Sequence, residues 1–176
     1  LEPVEVEDHA RAAACRRRAL PRPRPAAAGG CTCVVLDLDG FKAVNDTRGH
    51  AAGDRVLQVV VERAARVVGD DGLVARLGGD EFVLWLHCGG PGAPRTRELL
   101  ERLRGALAVP VPLADGASAR VGASLGVVDA DPADPGGRGG DLAAVLAEAD
   151  RRMYADKRAH RGRGADAGDR DRRAEP

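Results

Sequence analysis

The chain has 176 residues and 18.3 kDa, 44% of them hydrophobic and 31% charged, which suits one domain with a sizeable core and makes two domains cramped. Lys+Arg 27 and Asp+Glu 27 cancel to zero net charge, which disfavours a generally basic protein that coats nucleic acid. No apolar run approaches the roughly 18 residues of a membrane helix, and no basic start followed by an apolar stretch marks a secretory signal. A cytoplasmic setting without membrane contact is expected of this segment. It begins at Leu1, as a piece of a longer chain would.

Residues 1–30 lack periodicity. Arg16-Arg17-Arg18 is followed by alternating Pro and Arg from Pro21 to Pro25, a pattern that blocks helix and sheet ladders. This stretch is read as a divergent or disordered segment. Cys33 to Leu38 reads as a short apolar strand ending in Asp37-Leu38-Asp39-Gly40, and residues 41–47 as a helical turn. Val56, Val59, Val60, Ala64, Val67 and Val68 recur at helical spacing. Gly69-Asp70-Asp71-Gly72 breaks that helix. Leu73–Leu77 and Phe82–Leu86 read as strands joined by the hairpin Gly78-Gly79-Asp80-Glu81.

Leu99, Leu100, Leu103 and Leu107 mark a second amphipathic helix. Ala119 to Val128 alternates, with Val121, Ala123, Leu125 and Val127 on one face and Gly122, Ser124 and Gly126 on the other. Such small residues admit a close neighbour. A Pro- and Gly-rich loop over 129–140 leads to Asp141, an N-cap for a helix through Val145, Ala149 and Met153. Beyond it a disordered tail is expected over 164–176. Strands mixed with helices around a central hairpin predict an α+β sheet flanked by helices. Cys15, Cys31, Cys33 and Cys88 show no C-x-x-C spacing and read as reduced.

The residue usage is skewed. Ile is absent, Lys occurs only at Lys42 and Lys157, and Asn only at Asn45. Rare residues gather at 41–45, 82 and 153–157. Asp37 and Asp39 point to one side of their strand. Carboxylates there, beside two more acids on a hairpin, suit Mg²⁺, which takes one or two carboxylates and completes its shell with phosphates. Gly78 and Gly79 leave backbone N–H groups open to a phosphate. Asn45 and Asp54 offer the donors and acceptors that a guanine edge requires, although a helix cap and a first-turn acid would also account for them. Tyr154, Lys157 and Arg161 share a helical face, and the two cations one turn apart suit a polyphosphate.

Leu36-Asp37-Leu38-Asp39-Gly40-Phe41-Lys42-Ala43-Val44-Asn45-Asp46-Thr47, then Gly49-His50-Ala51-Ala52-Gly53-Asp54, then Arg76-Leu77-Gly78-Gly79-Asp80-Glu81-Phe82 closely resemble the GGDEF domain of bacterial diguanylate cyclases. Ser124-Leu125-Gly126-Val127 and Ala149-Asp150 through Arg161 resemble its later strand and last helix. The domain is read as 31–163. The resemblance implies a nucleotidyl-cyclase-like fold, related to polymerase palms, and condensation of two GTP into cyclic di-GMP by a homodimer. It implies Mg²⁺, with Mn²⁺ as the alternative, on Asp37, the Leu38 carbonyl, Asp80 and Glu81. Asp80 and Glu81 become the catalytic pair. Asn45 and Asp54 would read guanine with His50 nearby, Gly78 and Gly79 would cradle phosphate, and Lys42, Lys157 and Arg161 would neutralise it. An upstream sensory domain is implied as a partner.

Three departures accompany the resemblance. The family's opening helix is replaced by Asp8–Arg16 and the Pro-Arg run. Several buried apolar side chains at about 1.5–3 kcal/mol each would be lost with it. That loss sets up the alternative of an impaired domain that binds GTP or cyclic di-GMP as a regulatory module. Gly69-Asp70-Asp71-Gly72 has no Arg for the family's Arg-x-x-Asp inhibition site, which predicts no feedback inhibition by that route. The family's final Asn and short strand are missing after Arg161.

Overall fold

Strand β1 (Thr32–Asp39) is buried along nearly its whole length, as an apolar run at the centre of a sheet must be. A computed structural model of the chain describes residues 30–130 and 141–171, with side chains described as far as residue 160 in the last helix. After β1 come α1 (Phe41–Arg48), α2 (His50–Val68), a short 3₁₀ turn (Gly69–Asp71), β2 (Gly72–Gly78), β3 (Glu81–Leu86) and α3 (Pro94–Ala108). Then follow β4 (Val111–Pro112), β5 (Ser118–Ala119), β6 (Gly122–Asp129) and α4 (Leu142–Asp171). The four-stranded sheet has the order β2-β3-β1-β6, with every pairing antiparallel, and β4 and β5 form a separate small hairpin. This is the α+β sheet flanked by helices that the pattern predicts.

The two faces follow from the period of two along each strand. Even residues of β1 and β3 (Val34, Leu36, Leu38, Phe82, Leu84, Leu86) join Leu125 of β6 in the larger core, packed by α1, α2 and α3. Cys33, Val35 and Val128 face α4, whose Val145, Ala149 and Met153 complete a smaller core with Cys31 and Ala130. Gly126 lies under this helix. The Asp141 carboxylate caps α4, accepting from the Ala143 N–H at 2.9 Å. On the open edge of β6 two α4 side chains take up backbone groups. Asp156 accepts from Leu125 N–H (2.9 Å) and Arg152 donates to the Val127 carbonyl (2.8 Å), which blunts that edge against strand addition.

Some expectations differ from the structure. Residues 164–171 continue α4 as helix, where a disordered tail was expected over 164–176. No proline interrupts the helix before Pro176, and each added residue contributes one more intrahelical hydrogen bond. The β4–β5 hairpin has no apolar alternation long enough to announce it. The expected divergent N-terminal segment (1–30, apart from Gly30), most of the Pro- and Gly-rich loop (131–140) and residues 172–176 lie outside the described residues. No described helix is long and apolar enough to cross a membrane.

Cys33 is fully buried, and this burial pushes its thiol up to about 11, because the thiolate would lose its hydration there. The folded value lies above the ordinary one of 9.0. The stability contributed by the protonated thiol is therefore complete below that ordinary value and is lost as pH rises toward 11. Urea midpoints measured across this alkaline range should fall more steeply for the wild type than for Cys33→Ala. Parallel slopes would contradict the assignment.

Candidate active site

The acids converge where β1 ends and the β2–β3 hairpin turns back. Gly79 and Asp80 form the two-residue turn between β2 and β3, and Gly79 has φ +51°, which glycine adopts without strain. The Arg76 guanidinium clamps the turn with two donations to the Gly79 carbonyl, at 3.0 and 2.7 Å. Leu38 N–H then donates to the Asp80 carbonyl at 3.2 Å, tying the turn to the end of β1. A cleft of about 390 Å³ opens there, lined by Leu38, Asp39, Gly40, Phe41, Lys42, Asp80, Lys157 and His160.

Asp37 is 6% exposed, and its register partner on β3 is Glu81. Like charges directly opposite on neighbouring strands repel, so this pair calls for a cation. Lys157 of α4 supplies one, its Nζ lying 2.6 Å from Asp37 Oδ1. Asp39 takes a different partner. Ser124, fully buried on β6, donates its hydroxyl to both Asp39 oxygens, at 3.0 and 2.8 Å. His160 Nδ1 stands 3.4 Å from Ser124 Oγ and 3.6 Å from Asp39 Oδ2.

The donor set fits Mg²⁺. Asp80 and Leu38 line the cleft, the hard carboxylate of Asp37 precedes Leu38 in β1 and is tied to the cleft through Lys157, and the space there admits phosphates that would complete the shell. Among the described residues no group of three or more His, Cys, Asp or Glu side chains forms a cage.

The remaining expected residues spread around this centre. Asn45 and Asp54 do not line the cleft but lie on α1 and α2, where the chain turns between them. A Cβ built on Gly53 would come within 2.0 Å of Asn45 Oδ1, so a side chain at 53 would displace the Asn45 amide from its present position. Asn45 sits inside α1 rather than at its N-cap, and the first turn of α2 has no acid. His50 opens α2 and is exposed, Gly78 is exposed at the hairpin, and the Arg161 side chain is outside the described residues. Ser124 and His160 carried no expectation as site residues, and Asp39, singled out with Asp37 for a cation, accepts instead from Ser124. The only signals were the small-residue face of β6 and the i+3 spacing of His160 from Lys157.

A family model described as diguanylate cyclase, GGDEF domain, matches residues 26–163. The chain is 37% identical over 130 residues to the diguanylate cyclase TpbB of Pseudomonas aeruginosa, covering 73% of this chain and 28% of that relative. It therefore spans less than a third of that relative's length. The crystal structure of a sensory box/GGDEF family protein from Caulobacter crescentus is 38% identical, with a TM-score of 0.65, over 74% of this chain and 80% of that one. The GGDEF domain of DgcB from the same organism, solved in complex with cyclic di-GMP, is 28% identical with a TM-score of 0.60, over 74% of each chain.

Proposed function

The chain belongs to the GGDEF domain family of diguanylate cyclases, and from that premise we propose that it joins two molecules of GTP into cyclic di-GMP, releasing two pyrophosphates. The supporting observation is that Leu38, Lys42, Asp80 and Lys157, from three separate parts of the chain, line one cleft, with Asp37 held to it through Lys157. Each copy holds one GTP, and two copies face each other across their clefts.

Asp37, the Leu38 carbonyl and Asp80, helped by Glu81, would hold Mg²⁺, with Mn²⁺ as the alternative. When bound, the metal neutralises phosphate charge and polarises the phosphorus that is attacked. Lys42, Lys157 and Arg161 add positive charge around the phosphates, and the Gly78 and Gly79 amides cradle them. Asn45 and Asp54 select guanine, with His50 beside them. Asp80 takes the proton from the 3′-hydroxyl as its oxygen bonds to the α-phosphorus of the facing nucleotide. The bond from that phosphorus to the β-phosphate oxygen breaks, and pyrophosphate leaves. Repeating the step with the roles exchanged closes the ring. The work of the protein is positioning and charge stabilisation, as in phosphoryl transfer generally.

Turnover of GTP with Mg²⁺ at several protein concentrations tests the reading. Cyclic di-GMP should appear more steeply than linearly with protein. A folded, GTP-binding protein that makes no product would instead support the regulatory-module reading. Asn45→Ala should lower the preference for GTP over ATP by roughly 10²-fold or more, since a site built to hydrogen-bond its substrate discriminates strongly. Unchanged preference would remove Asn45 from guanine selection.

A further inference from the structure

We propose that Lys157 is a latch on the metal site, which makes metal binding and nucleotide binding depend on each other. This rests on the function proposed above. The ammonium of Lys157 lies 2.6 Å from Asp37 Oδ1, and the two side chains are 21% and 9% exposed. Such a pair is shielded from solvent, so it is screened little by salt. Glu81 is the cross-strand register partner of Asp37, but the ammonium pairs with Asp37. A divalent cation drawn to this carboxylate brings like charge against the ammonium that already holds it, so the two compete for Asp37.

A metal arriving alone must displace the ammonium and leave it in a half-buried cleft without a new partner. A nucleotide arriving alone finds Lys157 held by Asp37. Arriving together, the metal takes Asp37 while a phosphate takes Lys157, and both charges stay paired. Removing one partner of a buried pair is costly, whereas exchanging partners is not. The coupling is therefore reciprocal, as any equilibrium linkage must be. Lys42 lines the same cleft, but among the described residues the ion pair of Asp37 is with Lys157. The latch is a property of one lysine, distinct from the general positive charge of the cleft.

Mn²⁺ binding without nucleotide, followed by electron paramagnetic resonance on the purified chain, reads the latch without any turnover. Lys157→Met should bind Mn²⁺ about tenfold more tightly than wild type, about 1.4 kcal/mol. Lys157→Gln, which retains a hydrogen-bond donor for Asp37 and so protects the fold, should show a smaller gain in the same direction. Lys42→Met should show no gain. With a non-hydrolysable GTP analogue present the order should reverse, the wild type holding Mn²⁺ more tightly than Lys157→Met. Equal Mn²⁺ affinity in wild type and both Lys157 variants would overturn the latch, as would a gain in Lys42→Met equal to that in Lys157→Met. In either case, tight binding of the Mn²⁺–analogue pair by wild type would leave the proposed function standing. A wild type that binds neither Mn²⁺ nor the analogue would overturn both.

Discussion

Asp80→Asn leaves a folded domain whose cyclic di-GMP production falls by at least about 10²-fold, the usual worth of a positioned general base, and further if the metal is also lost. Asp80 occupies the second position of a two-residue turn, and its backbone carbonyl receives the Leu38 N–H at 3.2 Å. The substitution changes neither that carbonyl nor the Arg76 clamp on Gly79, so the turn and the end of β1 stay where they are. What changes is the charge and basicity of one side chain at the mouth of the cleft. Circular dichroism and thermal melts should therefore match wild type while product formation collapses. Turnover within threefold of wild type would remove Asp80 from both the metal shell and the proton transfer.

Gly126→Ala carries the largest expected effect on stability. A Cβ at Gly126 would lie 1.7 Å from the Ala149 carbonyl oxygen and 2.6 Å from the Met153 nitrogen. Both are backbone atoms of α4, so no side-chain rotation relieves the clash. The helix has to lift from β6, loosening its contacts with Cys33, Val35 and Val128. Overpacking costs about 1–3 kcal/mol and occasionally more, and a clash with backbone belongs at the upper end. At about 2–4 °C per kcal/mol, the melting temperature should drop by roughly 10 °C. The same lift carries Lys157 away from the cleft that it lines, so the variant should also lose activity at temperatures where it remains folded. Gly78→Ala is the control: a Cβ there meets nothing within 4 Å, and stability should change by less than about 0.5 kcal/mol. A Gly126→Ala variant that melts within 2 °C of wild type, on the scale just given, would mean that α4 does not sit this closely on the sheet.

The two predictions differ in how much of their basis can be read along the chain. Asp80 is visible locally, because two glycines followed by two acids between apolar runs make a hairpin with carboxylates at its tip. Gly126 is half visible. The alternation of Val121, Ala123, Leu125 and Val127 with Gly122, Ser124 and Gly126 shows that one face is small, without showing what lies against it. His160 gave no signal of its own, since one imidazole on a basic helix looks like a solvated surface residue.

The amino-acid sequence carries the kinds and order of the main strands and helices, the β4–β5 hairpin excepted, because strand and helix periods are local properties of side-chain spacing. It also determined which residue types gather at 37–54, 78–81 and 154–161, in an otherwise Arg-rich chain with two lysines and one asparagine. Only the tertiary structure decided the partners. Lys157 meets Asp37 across 120 positions, and Ser124 meets Asp39 across 85. These distances are set by the strand order β2-β3-β1-β6 and its register, which no local period encodes. That order places β1 at the centre, with the hairpin strand on one side and β6 on the other. The end of β1 is therefore where acids from one part of the chain and cations from another are forced to share a charge balance.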